Sequence, residues 1–218
     1  MRHLLAFPLI LVLAACAGST ASTPMPAPAV PTFQAGVVPD SFVLRLATTK
    51  GDIDVMLRRH WSPNGVGRVY EAAFANYYDG ARFFRAIRGF VVQFGIAADP
   101  AVSASWRERR IPDDTVRESN RRGTLVFAAG GPDTRTTQLF FNLRDNARLD
   151  AMGFAPLGEI VAGLEVLDQL FTGYGDGSAA PRQDRLGAEG ETYLAAEFPL
   201  LDKINSARVV RTFGPDAP

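Results

Sequence analysis

Tyr78-Asp79-Gly80, followed by Phe83-Phe84-Arg85-Ala86-Ile87-Arg88-Gly89-Phe90-Val91-Val92-Gln93-Phe94-Gly95, is the stretch that decides the fold. Gly89 splits it into two short apolar runs, 83–87 and 90–94, each of strand length. Arg85 and one amide, Gln93, stand among aromatics. Working outward, residues 42–48 are rich in β formers, and 53–57 alternate apolar and polar residues. The two flank Lys50-Gly51-Asp52, so a hairpin is expected. Pro63 opens a helical pattern carried by Val66, Val69, Tyr70, Ala73 and Tyr77, which Asp79-Gly80 closes. Residues 125–129 and 139–143 are two further strands, with the turn Gly130-Gly131-Pro132-Asp133-Thr134 between them. Residues 164–171 and 189–198 form two short helices, 173–185 a Gly- and Asp-rich loop, and 207–213 a closing strand. Residues 97–122 are polar, with six Arg and four acids between 107 and 122, and are expected to be a solvated loop. Many short strands with two or three helices point to a mainly-β barrel or sandwich.

The N-terminus has a different character. Arg2 precedes an apolar run, 4–15, that is too short for a helix across a bilayer of about 30 Å. It has the size of a signal-peptide core and ends Leu13-Ala14-Ala15-Cys16. This resembles the lipobox of bacterial lipoproteins. The resemblance implies a signal peptide over 1–15 and a diacylglyceryl group on Cys16, with the protein held at the cell envelope. Ala17 after the cysteine points to the periplasmic face of the outer membrane. Residues 16–40 are rich in Pro, Ala and Ser and are expected to be an extended tether. The folded domain then covers 41–214, with a disordered tail over 215–218.

Composition removes several chemistries. Lys and Arg number 23, as do Asp and Glu, so the net charge is zero and no broad basic face is available for nucleic acid. One Cys excludes an intrachain disulfide. Of two His residues only His60 would survive cleavage; it reads as a surface residue, and a His-based metal site lacks ligands. Asp113-Asp114 reads as a solvated acidic pair, or a cap, in a polar loop. No metal and no cofactor are expected. What remains is an Arg among aromatics, and a Gln.

Three segments resemble the cyclophilin family of peptidyl-prolyl isomerases. The first is the opening stretch, similar to F-H-R-x-I-x-G-F-x-x-Q-x-G. The second runs from Gly123-Thr124-Leu125 through Pro132 to Thr137-Gln138-Leu139-Phe140-Phe141. The third is Leu149-Asp150, then Leu157-Gly158-Glu159-Ile160-Val161-Ala162-Gly163. Their order and spacing agree with the family over roughly residues 42–172. The resemblance implies a closed eight-stranded antiparallel β-barrel capped by two helices. Residues 173–206 would be an extra insertion before the last strand, with a role that cannot be deduced.

The resemblance implies that Arg85 is the catalytic guanidinium and that Gln93 holds it and the substrate carbonyl. Phe90, Phe140 and Leu149 would floor a proline pocket, with Val91, Ala128, Ala129 and Gln138 as walls. There are departures at the rim. Val91 replaces a common Met and Ala129 a common Asn. Arg148 falls where many members have Trp or Phe, so weak cyclosporin sensitivity is expected. Phe154 lies near a pocket His of the family. The implied partners are Pro-containing unfolded or exposed segments, bound by a monomer. Two alternatives stay open: a non-enzymatic module that holds such segments, and a structural envelope lipoprotein whose insertion docks a partner.

Overall fold

The structure is a computed structural model that describes residues 37–214. The predicted leader, Cys16, most of the tether and the tail 215–218 lie outside the described residues.

Strands β1 (Ser41–Thr48) and β2 (Gly51–Arg58) form the expected hairpin, paired from Ser41↔Arg58 to Thr48↔Gly51. Alternation buries Phe42, Leu44 and Leu46 of one and Ile53, Val55 and Leu57 of the other. Helix α1 (Pro63–Phe74) starts with Pro at its first turn, where a missing N–H costs nothing. It buries Val66, Val69, Tyr70 and Ala73 against the sheet. The helix stops before Asp79-Gly80, because Asn76 takes a left-handed φ of 53°. Tyr77 stays buried regardless, 5.0 Å from the Trp106 ring.

The remaining strands are β3 (Arg85–Ile87), β4 (Val91–Phe94), β5 (Thr124–Phe127), β6 (Leu139–Asn142), β7 (Pro156–Ala162) and β8 (Ile204–Phe213). All pair antiparallel in one eight-stranded sheet of order β3-β4-β6-β5-β7-β2-β1-β8. The strand count, mainly-β class and helices agree with the expected fold. The word "closed" needs correction. Edge strands β3 and β8 share no ladder among the described residues. They meet through a single bridge, Arg82↔Lys203, and hydrogen bonds joining 80–83 to 202–204. With three residues, β3 is too short to run along β8, so the sheet curls round to a stitched seam.

One loop expectation fails, and of the two readings of the acidic pair the cap holds for Asp114. Within 97–122 lies α2 (Pro100–Arg107), capped by the Asp99 carboxylate on Ala101 N–H at 2.8 Å. Its Trp106 is buried, with the Arg109 guanidinium 4.1 Å over the ring. Asp114 is no solvated acid: its side chain is 3% exposed. It accepts the N–H groups of Asn64 and Gly65 and the Ser62 hydroxyl, capping α1, and pairs with buried Arg135 at 3.1 Å. His60 is exposed, as expected.

The stretch after β7 holds α3 (Val166–Gln169), α4 (Gln183–Glu189) and α5 (Glu191–Glu197). The last two build a second apolar cluster of Leu186, Tyr193, Leu194 and Leu201 around Phe84 and Ile96. The insertion is therefore folded against the β3 edge, and its first part is helical from Gln183 rather than loop throughout.

Candidate active site

Strand geometry sorts two sets of residues. Arg85 pairs with Gln93, Gln93 with Phe140, and Phe140 with Val126. Partners in a ladder point to the same face, so these four side chains stand in a row across the outside of the sheet. Their neighbours in each strand alternate inward: Ala86, Val92, Phe141 and Leu125 belong to the main core. The outward row is completed by a small separate apolar cluster, Val91, Val126, Phe140 and Leu149, with Phe90, Ala128 and Phe154 packed on it.

At the polar end, Arg85 Nη1 donates to Gln93 Oε1 at 3.2 Å, and Gln93 Nε2 donates to Gln138 Oε1 at 2.8 Å. Gln93 is 6% exposed, so this chain defines its amide orientation. Arg85 also donates Nε and Nη2 to the two oxygens of Asp176, both at 2.9 Å. The Arg85 guanidinium holds the Asp176 carboxyl down to about 2, with help from Gly177 N–H.

At the apolar end, the Phe154 ring meets Phe140 edge-on at 5.8 Å, and Leu149 closes a 3₁₀ turn, Ala147–Leu149. A buried amide chain fixes that turn. Asn142 donates to Asn120, Asn146 donates to Asn142 and to Phe90 C=O, and Asn120 donates to Phe154 C=O. Asp150 accepts from the Ser119 hydroxyl at 2.6 Å and from both N–H groups of Asn120. Burial raises the Asp150 carboxyl; those hydrogen bonds outweigh it and hold the group below the usual carboxylate range.

Between the two ends lies a groove of about 460 Å³. Of the predicted residues, Arg85, Phe90, Val91, Gln93, Ala128, Ala129, Gln138, Phe140, Leu149 and Phe154 all line it. Arg148 does not; its guanidinium lies over the Phe90 ring, 4.7 Å from the ring centroid. Sequence reasoning missed Gly130, Thr134, Thr136 and Gln183 in the lining, and Asp176 on Arg85. Arg85 is the only ionisable side chain in the described lining. The groove therefore presents an apolar, largely aromatic surface beside a cationic donor held by Gln93 and Asp176.

Comparison with known proteins puts this curled eight-stranded sheet in the cyclophilin class of peptidyl-prolyl isomerases. The family model described as cyclophilin type peptidyl-prolyl cis-trans isomerase/CLD matches residues 43–186. Peptidyl-prolyl cis-trans isomerase A of Dickeya dadantii (strain 3937) is 31% identical over 135 residues, 57% of this chain and 68% of that one. A Cryptosporidium parvum cyclophilin type peptidyl-prolyl cis-trans isomerase superposes with a TM-score of 0.59 at 20% identity, covering 78% of this chain and 97% of that one. Its crystal form in the presence of the dipeptide Ala-Pro gives a TM-score of 0.57, also at 20% identity, over 77% and 98%. The chain belongs to the cyclophilin family and is a peptidyl-prolyl cis-trans isomerase.

Proposed function

We propose that this isomerase acts on X-Pro bonds of extracytoplasmic proteins, with Arg85 supplying the decisive transition-state contact. The observation that carries the reading is the donor–floor arrangement: Arg85 tied to Gln93 above Phe140. A peptide C–N bond resists rotation by about 18–20 kcal/mol because of its double-bond character. As an X-Pro bond twists, the prolyl nitrogen regains a lone pair. A guanidinium N–H at that nitrogen stabilises the twisted state and not the planar ones. The floor of Phe90, Phe140 and Leu149 would hold the pyrrolidine ring while Gln93 engages the preceding carbonyl. Uncatalysed exchange takes tens of seconds. Reaching milliseconds needs about 10⁴-fold, or roughly 5–6 kcal/mol, from oriented hydrogen bonds in a mostly apolar groove. No nucleophile, proton transfer or cofactor is required.

Cis–trans exchange of a short Ala-Pro peptide, followed with the wild-type chain and Arg85→Ala, tests the assignment. A loss of about 10²–10³ in kcat/KM is expected; equal rates would reject it. The envelope location rests on the leader and Cys16. Labelling with a radioactive fatty acid, compared with Cys16→Ala, tests it, and an unlabelled wild-type chain would refute it.

A further inference from the structure

The insertion reaches Arg85 from a distance of 91 residues in the chain, and it does so with a carboxylate. Arg85 carries five N–H donors. Asp176 takes one from Nε and one from Nη2, in the side-on fork that a carboxylate fits best. Gln93 takes one from Nη1. Two N–H groups, one on each terminal nitrogen, are left without a partner among the described residues. The guanidinium is thus held on both flanks and has a free end.

The surroundings show that this contact is built rather than incidental. The insertion grips the same short strand at its neighbours. Arg82 donates to the Glu191 carboxylate and to Leu201 C=O, both at 2.9 Å. Phe84, 1% exposed, is buried in the cluster formed by Leu186, Tyr193, Leu194 and Leu201. The loop that carries Asp176 is pinned two residues earlier, where the Tyr174 ring sits 4.9 Å from Phe171 and 5.0 Å from Phe198. The strand and the Asp176 loop are therefore fixed relative to one another. Without Asp176, the Arg85 side chain, 28% exposed at a sheet edge, would keep only its single bond to Gln93.

We propose that Asp176 is a positioning residue for the isomerisation, delivered by the insertion to lock the Nε–Nη2 edge of Arg85 and present the free end of its guanidinium to the prolyl nitrogen. This rests on the assignment of Arg85 made above. Asp176 touches no substrate atom; it acts through the orientation of Arg85. A carboxylate leaves the charge on Arg85 intact while removing most of its rotational freedom, so the effect falls on the twisting step more than on peptide capture.

The test uses the full chain as wild type, Asp176→Ala, Asp176→Asn, Arg85→Ala and the Asp176→Ala/Arg85→Ala double variant, with an Ala-Pro tetrapeptide and thermal unfolding as the control for folding. Asp176→Ala is expected to lower kcat about 5- to 10-fold with KM within about twofold, the modest size that a half-exposed ion pair permits. Asp176→Asn keeps one acceptor and is expected to recover part of that loss. In the Arg85→Ala background the further change Asp176→Ala is expected to have no effect. An Asp176→Ala chain as fast as wild type, or faster, overturns the proposal. So does an Asp176→Ala effect of full size in the absence of Arg85. Slow Arg85→Ala with normal Asp176→Ala refutes the positioning role alone, whereas normal Arg85→Ala refutes the catalytic assignment and the positioning role together.

Discussion

Replacing Asp114 with Ala removes four interactions from a carboxylate that is 3% exposed. Two are the N–H groups of Asn64 and Gly65, at 3.0 and 2.9 Å, which have no partner inside α1. Losing such a cap costs about 1 kcal/mol. The third is the Ser62 hydroxyl at 2.6 Å. The fourth is Arg135, whose side chain is 6% exposed. Breaking a buried ion pair from one side costs about 3–5 kcal/mol, because the other charge is left behind. Here the lower end applies, since Asp113 still stands 3.0 Å from Arg135 Nε. That nitrogen makes no hydrogen bond, so Asp113 offsets part of the stranded charge without replacing the lost bond. The total is about 4 kcal/mol, a large share of the 5–15 kcal/mol that stabilises a typical domain. Arg135→Met leaves Asp114 with its cap donors and should cost about 2 kcal/mol less. Urea unfolding of the two single variants and the double variant yields the coupling, expected at about 2 kcal/mol. A loss below about 1.5 kcal/mol for Asp114→Ala, or a coupling near zero, would refute the buried-pair reasoning.

Gln93→Leu keeps the side-chain volume but deletes the acceptor for Arg85 and the donor to Gln138. It is expected to lower kcat/KM about tenfold in the peptide exchange assay while costing under about 2 kcal/mol in urea. Asp150 has a depressed native pKa, so its stabilisation is present above the ordinary carboxylate range and is lost as pH falls through the lowered native value. Asp150→Asn should therefore lower stability at pH 7 by about 2 kcal/mol and flatten the acid limb of a Tm-against-pH curve below about pH 4.

The first two strands were legible because 42–48 is rich in β formers and 53–57 alternates; Phe42, Leu44, Leu46, Ile53, Val55 and Leu57 are all at zero exposure. Strand β7 was not, since only its first three residues are buried and it contains Pro156 and Gly158; only the family resemblance pointed to it. Helix α2 escaped detection because its buried residues are just Ser103 and Trp106, too few to make a stripe. The groove residues came from the family resemblance, and ten of the eleven expected positions line the cavity. Arg148 is the exception, since its long side chain folds onto Phe90 instead of entering. Asp114 looked solvated because its partner Arg135 is 21 residues away. Asp176 left no local signal either: a Gly- and Asp-rich segment reads as a loop, and which acid meets Arg85 depends on how α4 and α5 pack on Phe84.

The parity of β3, β4 and β6 has an evolutionary consequence. Along these strands, core and groove residues take turns. A point substitution at Val91, Gln93 or Phe140 alters the groove lining without changing the volume enclosed by Val92, Phe94 and Phe141. The groove lining can change by single codons while the interior stays as it is. Gain or loss of one residue within a strand does the opposite, turning phenylalanines outward and Gln93 inward in one event. In 173–203 the chain has left the alternating ladder, so a segment can be lengthened there without shifting the count.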